Sequence, residues 1–445
     1  MVETTNNTSN EVRHAGDVNI KRIQVASLLT GHTLNITSQV MAVQIYEDLF
    51  SPFTTGSLIV KDSLNLTNWL PFLGQEWVEI DIVTPTLKTN IKGNFYIYKI
   101  TDREYVAEKA VVYQIHFISA EALVDLNSAL SRPFYGKVSD IVGLLCSDPN
   151  YLSTPLSINI EETANDTKFV SNFWSIVKCI NYLAGQAKTK EGETGYLFFQ
   201  NRSGYNFCSL SYLNKMPISQ KFLNGSASLD IKNAGGSARV LQREYQQIHE
   251  MSIPTVFDVI DRTRNGTYAS KITTHDWTTK RFMVNIYDYL KAFKPETRLN
   301  PYPITNNEVI ASAGAMGLTM EFSTQMHAGF GDVTNRKIVQ DRISRLKQAE
   351  AFKVRITVKG RTDYTVGMTV ELDISNASPT RKEDQPLHTK DRQYCGKYLV
   401  SAINHYINAE TGHECHMEVI RDTFSHDPLP NSKFVEEKRT ESFFE

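Results

Sequence analysis

A run of short strands is written twice into this chain, and any fold it adopts must accommodate both copies. In the first, Gly56–Asp62 sets Leu58 and Val60 between Ser57, Ile59 and Lys61, and Val78, Ile80 and Ile82 then alternate with Glu79 and Asp81. This is the period-2 pattern of a sheet with one buried and one solvated face. Pro71 and Gly74 punctuate the link between the two strands. About 290 positions later Val354–Gly360 is followed by Gly367–Ile374, and Val78–Ile82 lines up with Val370–Ile374 at four of five positions. Each copy continues into an aromatic strand, Phe95–Ile100 and Lys397–Ile403, and then a closing strand, Val111–Phe117 and Cys415–Ile420. A five-residue identity alone is a weak signal. The same strand order around it, twice, points to two related β modules. The polar stretch Ser375–Arg392 reads as a loop inserted into the second copy.

A chain of 445 residues exceeds what one hydrophobic core supports and predicts roughly two to four domains. A net charge of −2 argues against a general nucleic-acid binder, which would carry a basic excess. No window approaches the roughly 20 apolar residues of a bilayer span, so no membrane insertion is expected. Polar Met1–Asn10 lacks the apolar core of a secretory signal. Cys146, Cys179, Cys208, Cys395 and Cys415 form no Cys-x-x-Cys pair, and reduced thiols in a cytosolic folding environment are the plain reading.

In chain order, residues 1–17 read as a flexible arm, and 18–120 as a first β domain with strands at Ile20–Val25, Leu34–Ile36 and Met41–Tyr46 before the duplicated unit. Residues 121–230 read as an α+β middle domain. Helices are expected over Glu121–Leu130, around Val138–Leu145, and from Phe173 to Ala187, where apolar residues fall on one face about four turns long. Gly195–Gln200 and Tyr205–Leu210, joined through Asn201–Gly204, read as a hairpin with a core role. Residues 231–345 read as a mixed domain whose fold over 231–333 the pattern does not specify. It ends in a linking helix with Val339, Ile343, Leu346 and Ala349 inward and Arg336, Lys337, Arg342, Arg345 and Lys347 outward. That basic face suits either phosphate or an acidic partner, or plain solvation. Residues 346–424 form the second β domain, and 425–445 an extended tail with Phe434, Phe443 and Phe444 as candidate partner anchors.

Catalytic signatures are absent: there is no Gly-x-Ser-x-Gly elbow, phosphate loop, His-Glu-x-x-His or dinucleotide fingerprint. Glu161–Glu162 and Asp258/Asp261 have the form of glycosidase acid pairs, but 49 acidic residues produce such pairs by chance. His405, His413, Cys415, His416 and His426 form a loose cluster, with His413 and Cys415 on one strand face. Without a second ligand pair at a standard interval, an ordinary edge strand with His416 pointing the opposite way is the simpler reading. No catalytic residue, cofactor or metal is assigned.

Phe53 and Gly56–Asp62 through Leu70-Pro71, Gly74 and Glu76 resemble the first tube-like domain of the baseplate hub proteins of contractile-tailed bacteriophages. Gly360, Thr362, Val366–Met368, Cys395–Val400 and His405 resemble the second tube-like domain of the same family. Gly195-Tyr196, Phe198-Phe199, Gly204-Tyr205 and Phe207 are similar to its middle domain, and Gly266–Ser270 with His275-Asp276 fits the same proteins. The hub half of the valine-glycine-repeat spike proteins of type VI secretion shares this architecture; this chain lacks the needle those carry after the hub, so its spike should be a separate protein.

The resemblance implies a mixed, β-dominated multidomain fold with two related antiparallel tube-like β-barrel domains and intervening α+β domains. It implies a non-enzymatic virion protein, a homotrimer at the centre of the tail baseplate, assembled in the host cytoplasm. The implied partners are the tail tube protein, the spike protein and other baseplate proteins, with DNA only in passage. Three chains of two barrels each make a ring of six similar modules, able to meet a six-fold tube on one side and a three-fold spike on the other. Glu79, Asp81, Glu371 and Asp373 occupy equivalent places in the two copies. They are candidates for a set of acids that faces the channel or an interface, or that simply solvates a strand face. A tail-associated cell-wall hydrolase and a host-glycan-binding tail protein are the alternatives.

Overall fold

The computed structural model describes residue 12 and residues 14–426, apart from 28–30, 64–65, 67–72, 75, 108–109, 225–236, 256, 277–279, 306–317, 324–331, 376–389 and 409. The first strands are β1 (Asn19–Ser27), β2 (Thr33–Asn35), β3 (Val40–Asp48), β4 (Thr55–Asp62), β5 (Glu76–Val83), β6 (Asn90–Ala107) and β7 (Ala110–Ser119). The middle region holds α1 (Glu121–Leu126), β8 (Pro133–Lys137), α2 (Val138–Ser147), β9 (Ile158–Ile160), β10 (Asp166–Val170) and α3 (Ile176–Gln186). The hairpin β11 (Tyr196–Asn201) and β12 (Gly204–Ser209) follows, then α4 (Leu210–Lys215) and β13 (Ile218–Asn224). Next come α5 (Ser237–Gln246), β14 (Ile248–Thr255), α6 (Val259–Arg264), β15 (Ala269–Asp276), β16 (Arg281–Asp288), α7 (Tyr289–Ala292) and β17 (Leu318–Ser323). The chain closes through α8 (Asp332–Ala349), β18 (Phe352–Lys359), β19 (Thr369–Ile374), β20 (Gly396–Asn408) and β21 (Gly412–Arg421). The fold is β-dominated with large antiparallel sheets, as expected.

The duplication is visible strand by strand. In the first module the order is β3-β4-β7-β6-β5, and in the second β14-β18-β21-β20-β19, all antiparallel. Val78 opposes Phe95 where Val370 opposes Tyr398. Both copies also break register at the same place, between Ile97 and Lys99 in β6 and between Val400 and Ala402 in β20. A bulge reproduced at one position in both copies is an architectural device that re-aims the strand. Beyond the shared strands the copies diverge: β5 is flanked by antiparallel β1, whereas β19 is flanked by parallel β13.

Strands β13 and β14 come from segments that precede the second copy in the chain, and β14 from the stretch whose fold the sequence pattern left open. They extend the four strands of the second copy at both ends, β13 beside β19 and β14 beside β18. Leu223, at the end of β13, bridges in parallel to Gln247, just before β14. The six strands thereby wrap one core that includes Phe222, Ile248, Val354, Val358, Val370, Leu372, Tyr398 and Val419. The first module encloses Ile23, Val25, Val43, Leu58, Val60, Val78, Ile80, Ile115 and Phe117.

The middle region matches the helical spacing in part. Helix α3 begins at Ile176 rather than Phe173, because the Ser175 side chain accepts the Lys178 N–H as an N-cap and Phe173 sits at φ +51°. Helix α1 stops at Leu126, and Leu130 bridges to Trp174 instead. The hairpin packs as core, with Phe198 stacked on Tyr205 at 5.3 Å and Tyr196 tilted against Phe207 at 5.0 Å.

Helix α8 corrects the expectation of an outward basic face at Arg342 and Arg345; Lys347 is exposed as expected, and the side chains of Arg336 and Lys337 lie outside the described residues. Arg342 donates to the carbonyls of Ala184 and Tyr196, and Arg345 is buried against Glu193. Gln340, Ser344 and Gln348 are also buried. Gln340 donates to the Ser270 carbonyl, and Ser344 to the Thr267 carbonyl. Wedged between α3 on one side and β15 and β16 on another, the helix meets protein on both its apolar and its charged sides. Side-chain periodicity reports a solvated face only where solvent is what lies opposite. No helix among the described residues is long and apolar enough to cross a membrane. All five cysteines are free and buried.

Candidate functional site: a sheet joint and two open edges

The feature that unites the chain is a joint between its two modules. Strand β20 is 13 residues long; β21 lies along one edge, and the other edge is shared by two partners. Its start, Gly396–Leu399, pairs with β19 of its own module, and after the bulge Ala402–Asn408 pairs with Asp48–Ala42 of β3 in the other module. The bulge turns the strand out of one barrel and into the next. Ile407 consequently belongs to the core of the first module.

Buried polar contacts lock this joint. The Glu47 carboxylate accepts from the Thr365 hydroxyl at 2.6 Å and the Val366 N–H at 3.0 Å. Burial pushes the Glu47 carboxyl up from its ordinary value, and these hydrogen bonds oppose that push. Thr84 and Thr362 each donate a backbone N–H to the other's hydroxyl, at 3.1 and 3.0 Å, and the Thr362 hydroxyl donates to the Thr89 carbonyl at 2.7 Å.

Each half of the joint has a counterpart elsewhere on the chain. Strand β6 is the equivalent of β20 and carries the same bulge. Beyond Tyr96, however, its β5-side edge meets no strand among the described residues. Tyr98 and Tyr105 stand 51% and 79% exposed along this stretch. Strand β14 is the equivalent of β3, but among the described residues it pairs with β18 alone. The chain therefore carries one closed joint and both complementary halves of a second one.

The acids singled out by sequence lie on β5 and β19, which flank β6 and β20. Glu79 pairs with Arg22, and Asp81 accepts from the Asn90 side chain at 2.8 Å. Glu371 lies 3.4 Å from Lys221, while Asp373 is buried between Lys221 at 3.1 Å and Lys390 at 3.0 Å. Burial would raise the Asp373 carboxyl, but the two lysines outweigh it and hold the group below its usual range. Phe434, Phe443 and Phe444 lie outside the described residues.

The possible acid pairs serve local structure. Glu162 is exposed between Lys137 and Lys190, at 2.8 Å from each, and Glu161 accepts the Ser209 N–H. Asp258 caps α6 by accepting the Asp261 N–H at 2.8 Å. Of the histidine and cysteine cluster, His405, His413 and Cys415 meet inside the second module. His416 faces away from them, exposed beside Thr357, and His426 lies beside Ser425. Strand β21 is not an edge, since it runs between β18 and β20.

The sequence matches no family model and no curated protein. Among solved structures, the tail protein from Neisseria meningitidis MC58 aligns over 93% of this chain and 100% of its own, with a TM-score of 0.52 at 11% identity. The 43 kDa tail protein of prophage MuSo2 from Shewanella oneidensis covers 90% of this chain and 98% of its own, with a TM-score of 0.49 at 9% identity. A type VI secretion component from E. coli, described as structurally similar to two T4 bacteriophage tail proteins, covers 88% of this chain and 76% of its own, with a TM-score of 0.41 at 8% identity. The chain has the fold of the Neisseria tail protein, a tail-protein fold of the kind that its sequence resembled.

Proposed function

We propose that this chain is a structural subunit of a phage-type tail, the baseplate hub, and that it acts as a homotrimeric ring rather than as an enzyme. The observation that carries this reading is the open second joint. The free edge of β14 in one chain has the register partner it lacks in the post-bulge stretch of β6 in the next. Such a contact is heterologous, and it yields a closed ring where the rotation per chain allows. Three chains then present six similar modules joined edge to edge, which also removes the two long unpaired edges that an isolated chain exposes.

A ring of this kind adapts a six-fold tail tube to a three-fold spike, with DNA passing through its middle and other baseplate proteins on its rim. Localisation to the virion tail, after assembly in the host cytoplasm, follows from the same reading. In this arrangement the wall shared by all six modules is built from β3, β4, β6 and β7 and their equivalents. Glu79, Asp81, Glu371 and Asp373 fall on its flanks and serve the packing between strands.

Light scattering tests the ring. The wild-type chain should give a stable species at three times 50.5 kDa. The double variant Tyr98→Asp/Tyr105→Asp, which places like charges along the open β6 edge, should give a monomer with an unchanged far-ultraviolet spectrum. A wild-type monomer at every concentration, or a trimer that ignores the double variant, would overturn this joint.

A further inference from the structure

We propose that His405, His413 and Cys415 form a buried metal site in the second module, holding one thiophilic d10 cation, zinc(II) or copper(I). The three side chains are 1%, 0% and 0% exposed. Nδ1 of His405 lies 3.1 Å from Nε2 of His413, and the Cys415 Sγ lies 3.4 and 3.5 Å from these two nitrogens. Ligand atoms on a tetrahedral zinc, with bonds of about 2.0–2.1 Å to nitrogen and 2.3 Å to sulfur, stand roughly 3.3–3.6 Å apart. The triangle is therefore already close to coordination size. Two imidazoles and one thiolate are also the donor set that thiophilic cations select.

Without an ion, these atoms match poorly. The outer nitrogens, Nε2 of His405 and Nδ1 of His413, make no hydrogen bond of normal geometry among the described residues. If both imidazoles carry their proton outward, two lone pairs face each other at 3.1 Å. If one carries it inward, its outer lone pair is buried without a donor, and the thiol proton has only a shared acceptor. Every neutral arrangement leaves a buried polar group unmatched, and such groups are rare in native interiors. A cation takes all three inner lone pairs at once. The charge of the ion would also compensate the thiolate that Cys415 becomes on binding it.

The fold does not require these residues. Counted from the shared bulge, the first module places Asp102 where His405 stands, Val111 for His413, Tyr113 for Cys415 and Asp62 for Gly360. There Tyr113 and Asp62 fill the space themselves, with oxygens 3.5 Å apart. In the second module Gly360 leaves that space open. A Cβ at this position would fall 2.3 Å from the His413 ring. Backbone hydrogen bonds hold His413 from two sides, with Gly360 N–H donating to its carbonyl at 2.8 Å and its own N–H donating to the Gly16 carbonyl at 2.9 Å. His405 opposes Ile45 of β3 across the joint, so a bound ion would tie β20 to β21 at the point where the modules meet.

Metal analysis of the full chain tests the site, after refolding from denaturant with zinc sulfate, with copper(I) under reductant, or with a strong chelator. The expected result is about one equivalent of one of the two metals per chain. Its identity is read by mass spectrometry, and the melting temperature should exceed that of the chelator-refolded protein. Cys415→Val, chosen for its similar volume, should hold less than about a tenth of an equivalent and melt at the same temperature in all three refolding conditions. Should that variant not fold, the comparison between metal-refolded and chelator-refolded wild type decides the matter. Wild-type chain that takes up no stoichiometric metal and melts identically in every condition would overturn the site. So would metal retained by folded Cys415→Val.

Discussion

Replacing Arg345 by alanine is expected to destabilise the protein by about 3–5 kcal/mol, among the largest effects of any single polar substitution in the chain. Arg345 reaches from α8 to the Glu193 carboxylate, and also donates to the Ser211 hydroxyl at 3.0 Å and the Thr297 hydroxyl at 3.3 Å. Both members of the ion pair have side chains only 3% exposed. Burial lowers the Arg345 guanidinium only to about 10, so it remains charged at neutral pH. Its removal leaves Glu193 buried with Lys294 as its remaining ionic partner, at 2.8 Å from a half-exposed position. The single variant measures the penalty of stranding a charge, not the net worth of the pair. The double variant Arg345→Met/Glu193→Met should therefore recover most of the loss. Urea unfolding of the three proteins checks this. A loss below about 1 kcal/mol for Arg345→Ala would mean that the pair is effectively solvated.

The second large effect is expected at Gly56, the second residue of β4. A Cβ added there would lie 2.3 Å from the Phe117 ring and 2.4 Å from the backbone oxygen of Gln44. The ring belongs to the core of the first module, and the carbonyl belongs to β3, which pairs with β20 at the joint. Gly56→Val should cost about 3 kcal/mol or more, at or above the upper end of the usual range for overpacking. Because the clash displaces β3, it should also weaken the proposed trimer in light scattering. Gly185 is the control: it lies within α3, and a Cβ there would meet nothing within 4 Å. Gly185→Ala should stabilise by about 0.5–1 kcal/mol. Thermal melts that move in the same direction for both glycines would overturn the steric account.

Much of the architecture was legible because periodicity is local. Alternation over Val78–Ile82 and Val370–Ile374 marks strands whatever they pair with, and repetition of the order predicted two related modules. The middle hairpin was equally plain, since Gly204 supplies the φ of +127° that its turn needs. Strands β13 and β14 were not assigned to a module. Their partners lie more than 100 positions further along the chain, and nothing in a strand's own residues names the edge it will join.

The candidate sites divide in the same way. His413 and Cys415 were visible as a pair at strand spacing, but the third member, His405, reaches them only because β20 folds back beside β21. Arg342 and Arg345 have the spacing of a solvated basic stripe, and become interior residues because carbonyls and Glu193 from the middle region are brought over them. By itself, then, the sequence determined the strands of the duplicated unit, the duplication and the resemblance to tail proteins, all of which depend on neighbours along the chain. The tertiary structure alone decided which charges are buried, which ligands meet and which edges stay open. Those depend on what arrives from elsewhere in the chain, and the free energy of a polar group is set by whether water or protein stands opposite it.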